Sequence, residues 1–407
     1  MCTIDIAEAR ALADELVGKL FASRVLIRGL GRTARIRPVW NRTSSAGLEY
    51  HLSEAETAAI NTLLGRITAL IQMGSVDLIG PGRPAKLTVF EHVLSDFLAL
   101  GTYQKVALCL SNGIDELLTD LTAGVMRRFY HSSSVYSKDG ARLMVYSAGA
   151  PNREAVVLVL PCGMPMDLAE EWVRQLSQEF FVLTWESRGM SSTGEPFETY
   201  SYDVDAQVQD LLAIMDHWNV HSAHIMGLCG GAIIALRAAR QASERITSLS
   251  LWHGDYELGP RSPKTTHQTD LRALLGMVAS DRSAAASLHE LLSDTGPPSV
   301  HKEFAHLVLY PYSNVELLFR YARLNGAIMS TNVAGIVKDI VQPTLVVTSL
   351  DDATAHPDGS RFVAAELKNS TLQVLPHGDH LTLFRADRSA VTLARDFILG
   401  TVQRECN

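Results

Sequence analysis

Residues His224-Ile225-Met226-Gly227-Leu228-Cys229-Gly230-Gly231-Ala232-Ile233-Ile234-Ala235-Leu236 make an apolar run that breaks once, on Gly-x-Cys-Gly-Gly, and then resumes. Before the break it reads as a short buried strand, and after it as a helix. No residues are left for a loop between them. The chain must therefore turn sharply at Cys229, with glycines on either side where a side chain would obstruct the turn. Cys229 stands at the tip, beside a helix start whose unpaired N–H groups and partial positive charge favour an anion. This is a place for a nucleophile. Cysteine is also a common core residue, so the flanking sequence has to decide.

The flanking sequence alternates strands and helices. Residues 135–146 contain two period-two segments around Asp139-Gly140, a hairpin signal. Residues 155–160 are unbroken apolar, as in strands buried on both faces of a parallel sheet. Strands follow at 180–185, 246–252, 343–349 and 371–375, with helices expected through Leu176, over 202–218 and over 390–399. Such alternation specifies a doubly wound, mostly parallel sheet covered on both sides. Reactive groups in these sheets collect at the carboxyl ends of the strands.

Residues 7–130 differ in period. Apolar positions recur at three and four over 9–21, 54–73, 88–100 and 114–129, which predicts helices. Ser53-Glu54-Ala55-Glu56 has the form of a capping box, and Ile79-Gly80-Pro81-Gly82-Arg83-Pro84 that of a loop. The expected organisation is an N-terminal helical module (1–130), a core in two parts (131–256 and 342–407) and a helical lid insertion between them (257–341). The N-terminal module carries no catalytic constellation, and dimerisation or shaping of a substrate entrance are its expected uses.

Bulk properties remove several classes of function. A net charge of −8 without clustered Lys and Arg argues against nucleic-acid and anionic-membrane surfaces. No apolar run reaches the length of a membrane span, and the acidic start Met1-Cys2-Thr3-Ile4-Asp5 lacks signal-peptide form. Five scattered cysteines (Cys2, Cys109, Cys162, Cys229, Cys406) suggest free thiols in a cytoplasmic protein. No P-loop or dinucleotide fingerprint appears, so no cofactor is expected.

From about 135 to 399 the order of these features resembles the α/β-hydrolase superfamily. Four local matches carry the resemblance: the Asp139-Gly140 hairpin, the turn Pro161-Cys162-Gly163-Met164-Pro165, the turn Arg188-Gly189-Met190-Ser191-Ser192, and the elbow at Cys229. Cys229 departs from the family's serine, and Pro161-Cys162 from its usual residues before Gly163. The resemblance implies a base at His380, in Leu375-Pro376-His377-Gly378-Asp379-His380, with His377 as competitor. It implies an acid at Asp352, past strand 343–349, or at Asp255, past strand 246–252. The oxyanion donors are expected to be the backbone N–H groups of Gly230 and Met164. Cys162 reads as a small apolar residue of its turn. Neither His377 nor His380 has a metal partner set in the sequence, so no metal is expected.

Sulfur in place of oxygen bears on the reaction. A thiolate exchanges one thioester for another at little free-energy cost, and the acyl-enzyme can await an amine, alcohol or carbon nucleophile. This resembles the cysteine-bearing thioesterase-like cyclases of polyketide and peptide assembly lines, including Dieckmann-type cyclases. It implies acyl transfer or cyclisation on an acyl thioester held by an acyl or peptidyl carrier protein, and an acid at Asp255. The alternatives are an ester or lactone hydrolase of dienelactone-hydrolase type and a non-catalytic small-molecule binder. The apolar and aromatic residues Leu307–Tyr312 and Leu317–Tyr321 of the insertion suit a sizeable apolar substrate.

Overall fold

The unbroken apolar segments and the Asp-Gly hairpin assemble into one eight-stranded sheet in the computed structural model, which describes residues 6–39, 52–80, 86–109, 115–191, 194, 197–260, 262–295 and 301–405. Its strands are β1 (Tyr130–Tyr136), β2 (Arg142–Ala148), β3 (Ala155–Val159), β4 (Phe181–Trp185), β5 (Ala223–Leu228), β6 (Ile246–Trp252), β7 (Thr344–Ser349) and β8 (Ser370–Leu375). They lie in the order β8-β7-β6-β5-β3-β4-β2-β1. β1 pairs antiparallel with β2, and β2 antiparallel with β4, while every other neighbour is parallel. The hairpin aligns Val135 with Leu143, and Gly140 takes φ +87° in its turn. Every residue of β3, β4, β5 and β7 is buried, which is why those segments show no alternation. The fold class is the expected one, a mixed and mostly parallel sheet with helices.

The chain divides into two compact units, 1–128 with 286–315 and 129–285 with 316–407. The first contains the helices Ile6–Leu30, Glu54–Leu70, Val89–Leu98 and Asp115–Met126 around a core that includes Leu16, Leu20, Leu64 and Leu94. The Ser53 box closes as its sequence predicts: Glu56 N donates to Ser53 Oγ, and Ser53 N to Glu56 Oε2 at 2.7 Å. A second box, at Thr88 and Glu91, and a short parallel pair, Ala34–Ile36 with Val76–Leu78, are features the helical period concealed. Part of the expected insertion belongs to this unit, where His306 stacks on Phe97 at 3.9 Å between ring centroids. Residues 81–84 and Ser192 of the sequence motifs lie outside the described residues.

In the second unit the hairpin and the Arg188 turn are tied by charge. The Arg188 guanidinium is buried, and donates to Asp210 Oδ1 and Oδ2 at 2.5 and 2.9 Å, to Asp139 Oδ2 at 2.6 Å and to the Ser201 carbonyl at 2.6 Å. Gly189 is required beside it at φ +73°, since a Cβ there would lie 2.6 Å from Phe197. The Arg-Gly and Asp-Gly motifs are thus two halves of one buried cross-link that holds the β1–β2 turn to helix Val204–His217.

Candidate active site

β5 ends at Leu228, and helix Gly231–Gln241 starts three residues later. Cys229 between them has φ +52°, a left-handed conformation that costs a residue with a side chain. The flanking glycines make that turn possible. A Cβ on Gly227 would lie 2.7 Å from the Ala232 backbone, and one on Gly231 would lie 2.3 Å from the Val159 carbonyl oxygen. The Cys229 N–H donates to the Trp252 carbonyl at 2.9 Å, which anchors the elbow to β6.

The loop after β8 brings His380 to this thiol. His380 is buried beside Cys229, close enough for the sulfur to act on it electrostatically, and its Nδ1 lies 2.9 Å from Asp352 Oδ2. His377 does not join them. Its side chain is 88% exposed and faces Asp351. Gly378, at φ +112°, makes the turn that carries one ring outward and the other inward. Of the two candidate acids, Asp352 faces the imidazole, whereas Asp255 accepts a hydrogen bond from Gln268. The sequence pattern of the cyclases, which favours Asp255, is therefore not matched in this geometry.

Electrostatics fit a charge pair. Burial works to lower the basicity of His380, but the adjacent Cys229 sulfur and Asp352 carboxylate raise its pKa well above the usual imidazole value. Burial alone would raise Asp352; His380 and His253 instead hold it well below the ordinary carboxylate range. Backbone N–H groups of Thr354 and Ala355, each 2.9 Å from Asp352 Oδ1, add to that effect.

His253 is a member of the site that the sequence reading left without a role. It follows β6, has φ +50°, is buried, and places Nδ1 2.8 Å from Asp352 Oδ2. Its signal was its position directly after a parallel strand, in Trp252-His253-Gly254-Asp255. His253, Asp352 and His380 have the composition of a metal site and offer ligand atoms within 4.8 Å of one another. An ionised carboxylate only accepts, however, so both Nδ1 atoms carry protons and are committed to Asp352. Hydrogen bonding accounts for the trio.

The expected oxyanion donors differ from each other. Gly230 precedes helix Gly231–Gln241, and its N–H has no backbone partner among the described residues. Met164 N–H closes its own turn by donating to the Pro161 carbonyl at 3.1 Å, so its expected role conflicts with a bond already made. Gly163, at φ +77°, gives close passage to the Tyr321 ring, which a Cβ there would approach to 2.5 Å. Helix Val315–Ser330 also lays Asn325 and Ile328 against Gly230. Cys162 is buried beneath the turn, where burial pushes its thiol up to about 12, and its Sγ lies 3.7 Å from Gln207 Oε1. It is a packing residue.

A strained residue between two close-packed glycines, at the carboxyl edge of such a sheet and facing a His–Asp pair, is a family arrangement. Residues 156–387, more than half of the chain, match the family described as alpha/beta hydrolase fold. The chain belongs to this family. Among curated relatives, RutD of Caulobacter segnis, named as a candidate carbamate hydrolase, is 24% identical over 246 residues, covering 60% of this chain and 90% of that one. The 3-oxoadipate enol-lactonase 2 of Acinetobacter baylyi is 18% identical, covering 60% and 89%. Among solved structures, a hydrolase from Pseudomonas aeruginosa aligns with a TM-score of 0.52 at 22% identity, covering 66% of this chain and 98% of that one. Among the described residues no helix is long and apolar enough to cross a membrane.

Proposed function

We propose that this α/β-hydrolase cleaves the C–O bond of an ester or lactone through an acyl intermediate on Cys229. The observation that carries the reading is His380, hydrogen-bonded to Asp352 and within electrostatic reach of Cys229, at the carboxyl edge of the sheet. Relatives named for enol-lactone and carbamate hydrolysis support the bond class.

Cys229 Sγ attacks the carbonyl carbon, and the carbonyl oxygen takes the negative charge beside the Gly230 N–H. The C–O bond to the leaving group breaks, and His380 gives that oxygen its proton. Water then attacks the thioester and passes its proton to His380, and the acid leaves as the thiol is restored. Asp352 orients the imidazole through Nδ1 and stabilises its charged form.

A second reading, acyl transfer or Dieckmann-type ring closure on a carrier-bound thioester, is favoured by one observation, the sulfur itself. It differs in what releases the acyl group, a carbon or other nucleophile in place of water. Intact-mass analysis with short esters, lactones and acyl thioesters tests both. The expected result is an acyl adduct on the wild type, none on Cys229→Ala, and free acid as product. A cyclised product from a carrier thioester selects the second reading, and turnover by Cys229→Ala defeats both. Reversible binding without adduct or turnover identifies a non-catalytic binder.

A further inference from the structure

Tyr256 lies on the loop after β6 and is 2% exposed, yet its hydroxyl has no hydrogen-bond partner among the described residues. A buried hydroxyl without a partner is costly, and in native proteins it points to a ligand or a strained functional role. The hydroxyl is close enough to Cys229 for the two to interact electrostatically.

The surroundings hold this phenol in place. The phenol fills the space left by glycine at residue 254, where a Cβ would lie 2.2 Å from the ring Cζ and 2.4 Å from the hydroxyl oxygen. On the other side the ring packs near Gly359, where a Cβ would lie 3.6 Å from Cδ2. The loop itself is pinned, with His253 N donating to the Val347 carbonyl at 2.8 Å and Lys264 Nζ donating to the Tyr256 carbonyl. The donor is therefore preorganised, which is what a site needs from a group that acts at the moment of reaction.

Its side of the site fixes what it can reach. In the sheet, β5 lies between β3 and β6. The turn after β3 therefore approaches Cys229 from one side of β5. The loops that carry Tyr256 and His253, Asp352, and His380 follow β6, β7 and β8, all on the other side of β5, the side from which His380 would protonate a leaving group.

We infer that the Tyr256 hydroxyl is a catalytic hydrogen-bond donor to the leaving-group oxygen of an ester or lactone bound at Cys229. As the C–O bond breaks, negative charge grows on that oxygen. His380 transfers its proton to it, while Tyr256 donates a hydrogen bond and keeps its own proton. A basic alkoxide leaving group, or the ring oxygen of a lactone, depends on this donor. A phenolate leaving group, already stable as an anion, does not. The inference rests on the acyl-Cys229 reading, and its test separates the two.

The test is Tyr256→Phe, which removes only the unpartnered oxygen, assayed by the rate of acyl adduct formation with an alkyl and an aryl ester of one acyl group. The expected result is a fall of roughly 10- to 100-fold with the alkyl ester and a change within about 2-fold with the aryl ester, with unchanged thermal unfolding. Equal losses on both esters, or no loss on either, overturn the assignment while leaving Cys229 as nucleophile. Failure of the wild type to form any adduct removes the acyl-Cys229 reading and this inference with it.

Discussion

His253 Nδ1 lies 2.8 Å from Asp352 Oδ2, the same carboxylate oxygen that His380 Nδ1 approaches at 2.9 Å. The two rings meet edge to face, 5.7 Å between centroids, with the carboxylate as their common acceptor. His253 thus holds the acid through the same oxygen as His380, the two rings approaching it at roughly a right angle to each other. Its hydrogen bond goes to Asp352 and not to the sulfur, so its role is positioning. His253→Phe keeps a ring in the space and removes the donor. Hydrogen bonds to charged groups contribute about 1.5–3 kcal/mol, so kcat/KM is expected to fall roughly 10- to 100-fold with KM little changed. The pH profile separates positioning from a packing defect. With less constraint on Asp352, the limb assigned to His380 moves, whereas a merely loosened fold lowers the rate at every pH alike.

The choice between the two acids leads to a paired experiment. Asp352→Asn replaces an acceptor shared by two imidazoles with an amide that cannot serve both, and kcat is expected to fall by roughly 100-fold or more. Asp255→Asn leaves the His380–Asp352 hydrogen bond untouched and is expected to stay within about 3-fold. Steady-state kinetics on the two variants decide it. Comparable losses from both substitutions contradict the assignment of Asp352.

Arg188 and Asp210 form a buried pair, their side chains 2% and 1% exposed, with Asp139 completing the link to the hairpin. Removing one partner of a buried pair leaves the other charged and unpaired, at a cost of about 3–5 kcal/mol. Asp210→Ala should therefore lower the urea unfolding midpoint strongly, and Asp139→Asn, at the more exposed end, much less. A midpoint for Asp210→Ala close to the wild type contradicts a structural role for the pair.

These relationships were unequally legible in the sequence. The strands and the elbow could be read because burial on both faces leaves unbroken apolar runs, and because only glycine fits at 227 and 231. His380 could be preferred over His377 by its place in the turn. His253 and Tyr256 could not be assigned, since their roles depend on β6 and β7 being neighbours, which brings Asp352 beside the end of β6. Local periodicity holds no information about that adjacency. The pair Ala34–Ile36 and Val76–Leu78 was missed for the opposite reason, because three-residue strands are too short to show a period of two. The Met164 N–H is drawn into its own turn by a 3.1 Å bond to the Pro161 carbonyl, which composition does not reveal.

His224, in β5, is buried with Nδ1 2.7 Å from Ser248 Oγ and Nε2 2.8 Å from Ser250 Oγ. Burial lowers its pKa from 6.5 to about 3, so it is neutral in the folded protein at any pH above that value. The unfolded chain binds this proton below about pH 6.5 and the folded one does not. Stability from this group is therefore complete above 6.5 and is lost as pH falls from 6.5 toward 3, at roughly 1.4 kcal/mol per pH unit. Urea unfolding at pH 7 and pH 5 should show a larger loss for the wild type than for His224→Asn, which cannot titrate in this range. The same difference should be absent between pH 9 and pH 7. An NMR titration that places the His224 ring near 6.5 in the folded protein contradicts the prediction, because a ring that ionises in place gives no linkage to unfolding.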